Sequence, residues 1–479
     1  MTNAEYGTAR YGTGQYADDV IRFAQVRATP NQGPSALFVE FDGSQSDGNG
    51  ENILTYEWDF GDGTEATGVN AYHTYGTPGV YTVTLTVSTP TTTYQDTQGI
   101  EVLGSEVTTS YTPSGYFYDA LRWSHRAFAR VVLRTPDCET LNLPIVSGNV
   151  TIDRGGKTFR SADLEIAIES LGTTNRTALE KITVQSGEVE LYSGITFEDN
   201  STEEILVGRM RIDSLEIGDG ATARIGAFDY ALMLDEHPVT PADGTKIPAG
   251  TDWRVAIRRL IEDTFTWKPC GMDTMFVVDP AVKAWAIPEQ AWDNVNRLTA
   301  ILEWAESRNC WFYNLPDGRF YLTPRVENGP AVWTVNSGDD GVLVKATQRF
   351  SREAQYNGIS ISFDTPEGEY ESIRGFIIDN EPGSTTRWGG PFGKRVLDLS
   401  GIPAANAAEA EAIAYRKLEE NRGATKSLSL TTVRNPALVP GQVIRVIHPM
   451  IDNELHVIER VTHQLGGATS DIDCKLSRQ

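Results

Sequence analysis

Between Tyr81 and Ser88 apolar and polar positions alternate without a break. Tyr81, Val83, Leu85 and Val87 stand against Thr82, Thr84, Thr86 and Ser88. A period of two places alternate side chains on opposite faces, which predicts a strand with one buried face. Thr77-Pro78-Gly79 supplies a turn just before it. Upstream, Tyr56 and Trp58 begin a second short strand that Gly61-Asp62-Gly63 interrupts. Glycine takes positive φ and Asp hydrogen-bonds its own backbone, so the tripeptide is a tight turn. The pattern predicts a small β-sandwich over residues 24–104 with Trp58 in its core.

Other stretches have other periods. In residues 1–23 the tyrosines Tyr6, Tyr11 and Tyr16 recur every five residues, which is neither a helical nor a strand period. The segment is either a flexible arm or one ordered by laying its rings on a neighbouring subunit. Residues 105–117 are polar and turn-rich, as in a linker. From Arg122 to Asp235, strand-like runs such as "ARVVLRT", "ADLEIAIE" and "EEILVGRMRIDSLEI" alternate with Gly, Asn and Asp, predicting an antiparallel barrel or sandwich.

The period then shifts. Trp253, Ile257, Leu260 and Ile261 share a helical face, with Thr251 as the expected N-cap. Val295, Leu298, Leu302 and Ala305 mark a second helix that leads into "CWFYNLPDGRFYLTP", a hairpin turning at Pro316-Asp317-Gly318. Strands resume after Gly341, a third helix is expected over Ala404–Arg422 ending at Gly423, and the chain closes on strands.

Composition narrows the functional classes. The 479 residues suffice for three or four domains. No apolar run approaches the roughly eighteen residues of a membrane span, and the N-terminus lacks the basic and apolar regions of a signal peptide. Synthesis in a cytoplasm is therefore expected. The net charge of −24 argues against broad nucleic-acid binding. The charge is uneven: residues 1–110 hold three basic and fourteen acidic side chains. Cys138, Cys270, Cys310 and Cys474 lie far apart with no C-x-x-C, so four unpaired, buried or half-buried thiols are expected.

Catalytic patterns are missing: there is no H-E-x-x-H, G-x-S-x-G, P-loop or G-x-G-x-x-G after a strand. His448, His456 and His463 are spaced so that they need not share a strand face, and are expected on strand surfaces or in turns. Neither catalytic residues nor a cofactor are expected.

Two resemblances sharpen the picture. "WDFGDGT" followed by "HTYGTPGVYTVTLTVS", with "FDGSQSDGNG" before it, resembles the PKD (polycystic kidney disease) domain, an immunoglobulin-like sandwich. The residues that carry it are Trp58, Asp59, Gly61, Asp62, Gly63, His73, Tyr75, Gly79 and Tyr81. The resemblance implies a spacer or binding module, in some cases for glycans. It also raises a calcium site at Asp42, Asp47 and Asp59, whose alternative is that they cap turns and face water.

From about Phe117 to Gln479 the order of parts resembles bacteriophage tail hub proteins, especially minor tail proteins of siphophages of actinobacteria. The parts are "VSGNVTIDRGGKTFRSADLEIA", "LEWAESRNCWFYNLPDGRFYLTPR", "QRFSREAQYNGISI" and "NPALVPGQVIRVIHPMIDNELHVIERVTHQL". The resemblance implies a mainly β chain with an α+β insert: the sandwich, a tube-like barrel over 118–242, an α+β domain over 243–335, and a second tube-like barrel over 336–479. It implies a homotrimer at the tail tip (baseplate) of a virion. That trimer would join the tail tube to a threefold tip and let DNA pass without specific binding. The implied neighbours are distal tail and tail tube proteins, the tape measure protein and receptor-binding proteins. Two other readings stand beside this one: host-surface glycan binding through the sandwich, and a wall-degrading enzyme targeted by it.

Overall fold

A computed structural model describes residues 23–477 except 35–36, 104–112, 124, 169–180, 219–220, 240–246, 249, 268, 273, 288–294, 326–328, 339–340, 353–354, 365–369, 373–376, 405 and 422–424. The tyrosine arm, most of the linker and Gly423 lie outside the described residues. The chain divides into two units, Met1–Ser105 and Glu106–Gln479.

The first unit is built from β1 (Arg27–Thr29), β2 (Gln32–Pro34), β3 (Leu37–Asp42), β4 (Thr55–Asp59), β5 (Glu65–Thr67), β6 (Asn70–Tyr75), β7 (Gly79–Ser88) and β8 (Thr93–Leu103). They form a three-stranded sheet, β1-β3-β6, and a five-stranded sheet, β2-β8-β7-β4-β5. The alternation in β7 is realised: Val83, Leu85 and Val87 are fully buried. They share one apolar core with Leu37, Val39 and Phe41 of β3, Trp58 and Tyr75.

The second unit begins with a short helix α1 (Gly115–Ala120), capped by Ser114, whose hydroxyl accepts from the Phe117 N–H. Seven strands follow: β9 (Arg126–Arg134), β10 (Thr140–Leu143), β11 (Ile145–Asp153), β12 (Arg160–Ala167), β13 (Glu188–Thr196), β14 (Thr202–Ile217) and β15 (Thr222–Phe228). Next come α2 (Ala231–Glu236), β16 (Pro238–Val239), α3 (Trp253–Thr264), β17 (Phe276–Val278), β18 (Val295–Asn296), α4 (Arg297–Ser307), β19 (Cys310–Asn314) and β20 (Phe320–Pro324). The chain ends with β21 (Ala331–Asn336), β22 (Leu343–Ser351), β23 (Gly358–Asp364), β24 (Tyr370–Ser372), β25 (Ile377–Ile378), β26 (Val396–Pro403), α5 (Ala407–Asn421), β27 (Thr425–Val433), β28 (Val443–His448), β29 (Asp452–Gln464) and β30 (Thr469–Leu476).

The protein is mainly β, as expected, but the expected closed barrels do not form. One thirteen-stranded sheet runs open in the order β10-β9-β13-β14-β15-β12-β11-β29-β30-β27-β22, with β28 joining β29 to β21. Its two halves are continuous because β11 pairs with β29, Asn149–Asp153 against Arg460–Gln464. Two separate apolar cores nevertheless mark two lobes. One is centred on Val131, Leu164, Leu191 and Met210 of β9–β15. The other is centred on Val335, Leu428, Val446 and Ile472 of the C-terminal strands.

The hairpin of β19 and β20 forms as expected, with Asn314 opposite Phe320. Helix α3 starts one residue later than expected: Asp252, not Thr251, caps it by accepting from the Arg254 N–H, while the Thr251 hydroxyl donates to the Pro248 carbonyl. Asp suits the position because its carboxylate also holds the Arg254 guanidinium at 2.8 Å. Between β22 and β27, strands β23–β26 and α5 build a small α/β lobe whose core is Ile359, Phe363, Ile413 and Leu418.

Candidate functional site

In the first unit, the turn after β4 organises its neighbours by short-range polar geometry. Gly61 and Gly63 sit at φ of 77° and 89°, a region open to glycine. A Cβ on Gly61 would lie 2.5 Å from the Thr82 carbonyl oxygen, so this glycine also admits a close approach of β7. The Asp59 carboxylate accepts from the Gly61 N–H at 2.8 Å. The Asp62 carboxylate accepts from the Thr64 hydroxyl at 2.6 Å and meets His73 Nε2 at 2.6 Å. Thr64 and His73 hold the Asp62 carboxyl below its usual range against the opposing effect of partial burial.

The aromatic signature residues stack behind that turn. His73 lies parallel to Phe60 with ring centres 4.5 Å apart and meets Tyr75 edge-on at 4.6 Å. Tyr75 in turn packs on Tyr81. The Tyr75 hydroxyl donates to the Phe60 carbonyl, and burial raises its ionisation well above the usual tyrosine range. The Tyr81 hydroxyl donates to the Thr77 carbonyl at 2.7 Å, joining the second turn to the strand it launches. Trp58 is 1% exposed, and its Nε1–H donates to the Gly68 carbonyl at 2.8 Å.

In the second unit, buried arginines pin the lobes together. Arg434 donates to the Gln464 and Leu465 carbonyls and, through its other terminal nitrogen, to the Phe128 carbonyl on β9. Arg160 donates to the Val207 carbonyl of β14 and to the Asn314 carbonyl of the β19–β20 hairpin. Its backbone N–H donates to buried Asp229, whose other oxygen accepts from Ala231 at the start of α2. Burial raises the Asp229 carboxyl, to about 7, against the pull of Arg160. Arg209 and Glu188, both nearly buried, pair at 2.5 Å within the first lobe. Helix α5 is tied to α4 by Lys417 with Glu306 and by Arg308 with Glu409.

Asn357 of "QYNG" anchors the loop after β25. Its amide donates to the Thr386 and Gly393 carbonyls, and its oxygen accepts from the Arg395 N–H.

The cysteines and histidines depart from expectation. Cys138 and Cys270 form a disulfide between the β9–β10 turn and the segment before β17, across 132 residues; Cys310 and Cys474 remain buried thiols. His456 and His463 are fully buried rather than on strand surfaces or in turns. His463 Nδ1 pairs with the Ser470 hydroxyl at 2.8 Å, and burial beside Arg434 depresses its ionisation to about 3. Three successive residues of β29, His456–Ile458, are buried, so period two does not separate the faces there, whereas His463 shares one buried face with Val461.

The model of the PKD domain family matches residues 25–103. This segment is a PKD domain. It is also 31% identical to the PKD1 domain of the Vibrio cholerae metalloprotease PrtV, over 16% of this chain and 93% of that one, with a TM-score of 0.15. The second unit is matched by the tail protein from Neisseria meningitidis MC58, at 12% identity and a TM-score of 0.51, over 73% of this chain and 96% of that one. A 43 kDa tail protein of prophage MuSo2 from Shewanella oneidensis matches at 15% identity and a TM-score of 0.46, over 72% and 97%. Over the share of the chain that the Neisseria protein covers, the fold is that of a tail protein.

Within the PKD domain, two of the calcium candidates, Asp42 and Asp59, end strands β3 and β4, and Asp47 lies in the loop between those strands. Asp42 accepts from the Ser44 N–H and Asp59 from the Gly61 N–H, while the exposed Asp47 donates its N–H to the Phe23 carbonyl. Among the described residues no three His, Cys, Asp or Glu side chains converge as a metal site. No described helix is long and apolar enough to cross a membrane. The outer face of the larger sheet is polar along β7 and β8. There Thr84 stands opposite Thr97, Thr86 opposite Gln95 and Ser88 opposite Thr93.

Proposed function

We propose that the chain is a structural hub of a bacteriophage tail tip, a non-enzymatic virion protein made in the host cytoplasm. Three copies would form a ring in which each contributes two β lobes, so that a sixfold tube meets a threefold tip. The observation that carries the reading is the pair of lobes strung on one thirteen-stranded sheet, each with its own core. Rings of identical subunits need rigid, repeated interfaces, and a sheet continuous across both lobes is stiff along its length.

The partners that follow are the distal tail and tail tube proteins, the tape measure protein and receptor-binding tip proteins. The net charge of −24 fits a wall along which DNA passes without being held. Light scattering on the purified chain, or images of assembled tips, should give a threefold species. A stable dimer with twofold contacts sinks the reading.

A second reading is compatible with the first: the PKD domain touches host glycans. The row of hydroxyl and amide groups on β7 and β8 favours it, because such groups both donate and accept. Thr84→Lys with Thr97→Lys should then abolish adsorption to host cell-wall glycans; unchanged adsorption removes this reading.

A further inference from the structure

Three parts of the second unit meet around the ring of Trp311. The turn after β11 contributes Asp153, Arg154 and Gly155, β19 contributes Trp311, and the C-terminal strands contribute Gly441, Glu459, Arg460, Asp473 and Lys475. They enclose a cavity of about 350 Å³. The Arg154 guanidinium lies over the Tyr313 ring at 4.3 Å and the Trp311 ring at 5.3 Å. It fills the space where a side chain at Gly441 would stand, and Gly441 adopts φ of 92°.

The charges around this cavity are unequally answered. Lys475 and Glu459 are 4.0 Å apart. Asp473 accepts from the Ser429 hydroxyl and faces Arg460 across the β29–β30 ladder. Asp153 accepts from the Gly155 N–H of its own turn. A second guanidinium, Arg325, stacks over Trp311 at 4.0 Å and has Glu420 at 3.6 Å.

Arg154 differs from all of these. Among the described residues no carboxylate pairs with it, and its side-chain hydrogen bond is to Tyr313; its buried Nε, like that of Arg325, and the buried Nε1–H of Trp311 have no acceptor. A desolvated cation is costly unless a counter-charge meets it. Of the two guanidinium groups about the indole, only that of Arg325 has an acid paired with it.

We propose that this cavity binds a small molecule through an oxyanion group, a carboxylate or a phosphate, held by Arg154 and by the Trp311 N–H. Guanidinium presents two parallel donors that match such a group. The cavity is several times larger than a bare phosphate, so it also admits a small organic acid. Tyr313 and Trp311 fix the guanidinium plane in advance, and the three parts of the unit that line the cavity would be joined by the ligand.

Calorimetric titration of the whole chain at constant ionic strength tests this, with inorganic phosphate in one arm and citrate in the other. Saturable binding of one anion per chain is expected in at least one arm, and the arm identifies the source: free phosphate or an organic acid. Arg154→Met keeps the stem against Tyr313 and should weaken binding at least tenfold. Trp311→Phe keeps a ring and loses only the N–H, and should weaken binding severalfold. It also serves as the test if Arg154→Met does not fold. Absence of saturable binding in both arms overturns the proposal, as does wild-type affinity in the folded variants.

Discussion

Replacing Trp58 by Ala should unfold the PKD domain and leave the second unit standing. Trp58 is 1% exposed, packs with its ring centre 5.6 Å from that of Phe41, and satisfies the Gly68 carbonyl through its indole N–H. Truncating a buried tryptophan costs about 3–5 kcal/mol through lost contacts and an unfilled cavity. The stranded Gly68 carbonyl adds about 1 kcal/mol unless water reaches it. Domains hold about 0.05–0.15 kcal/mol per residue, so a unit of this size has about 4–12 kcal/mol in all. The substitution therefore removes a large share of it, a fall of roughly 12–40 °C in its melting temperature. Trp58→Phe, which keeps most of the ring, should cost about 1–2 kcal/mol. Calorimetry of the full chain should show two transitions in the wild type. In Trp58→Ala the PKD transition should fall or vanish while the other stays in place. A single transition that shifts as a whole would refute the independence of the two units, and with it the view of the PKD domain as an appended module.

Two further expectations follow from local geometry. Gly61→Ala should destabilise the PKD domain more than Gly63→Ala: both positions have positive φ, costing about 1 kcal/mol each, but only at Gly61 does the new Cβ meet a carbonyl oxygen. Equal shifts in the two melting curves would contradict this. In the second unit, His463 is held neutral with its ionisation depressed to about 3. The unfolded chain takes up a proton near pH 6.5 that the folded chain refuses. Stability is thus full above about pH 6.5 and falls progressively toward pH 3, by on the order of 3–5 kcal/mol. His463→Asn should flatten that part of the profile in melts between pH 7.5 and 4; parallel loss in both proteins would show that other groups dominate.

What was legible in the sequence is local. The alternation of Tyr81–Ser88, the Gly61-Asp62-Gly63 turn and the Pro316-Asp317-Gly318 hairpin are each fixed by neighbours a few residues apart, and each forms. The α3 cap was missed by one residue because Thr and Asp are both good caps, and Asp252 gains from Arg254 a partner that spacing alone does not rank. Long-range pairing was not legible. The Cys138–Cys270 bridge spans 132 residues, and the β11–β29 ladder joins residues more than 300 apart. Nothing within either segment announces its partner. The same holds for Arg160 and Arg434, whose donors reach carbonyls on distant strands.

Those long-range features explain why one open sheet takes the place of two closed barrels. A closed barrel satisfies its own edges, and a pair of them needs only a linker between. Here β29 leaves the second lobe, pairs with β11 of the first, and so gives its edge to the other lobe instead of closing its own. Where β29 ends beside β11, the Arg434 guanidinium donates to the Gln464, Leu465 and Phe128 carbonyls. Buried unpaired carbonyls are expensive, so the arginine and the sheet crossing depend on each other. The two lobes are thereby joined through one sheet and one side chain, as the proposed trimeric ring would require of each subunit.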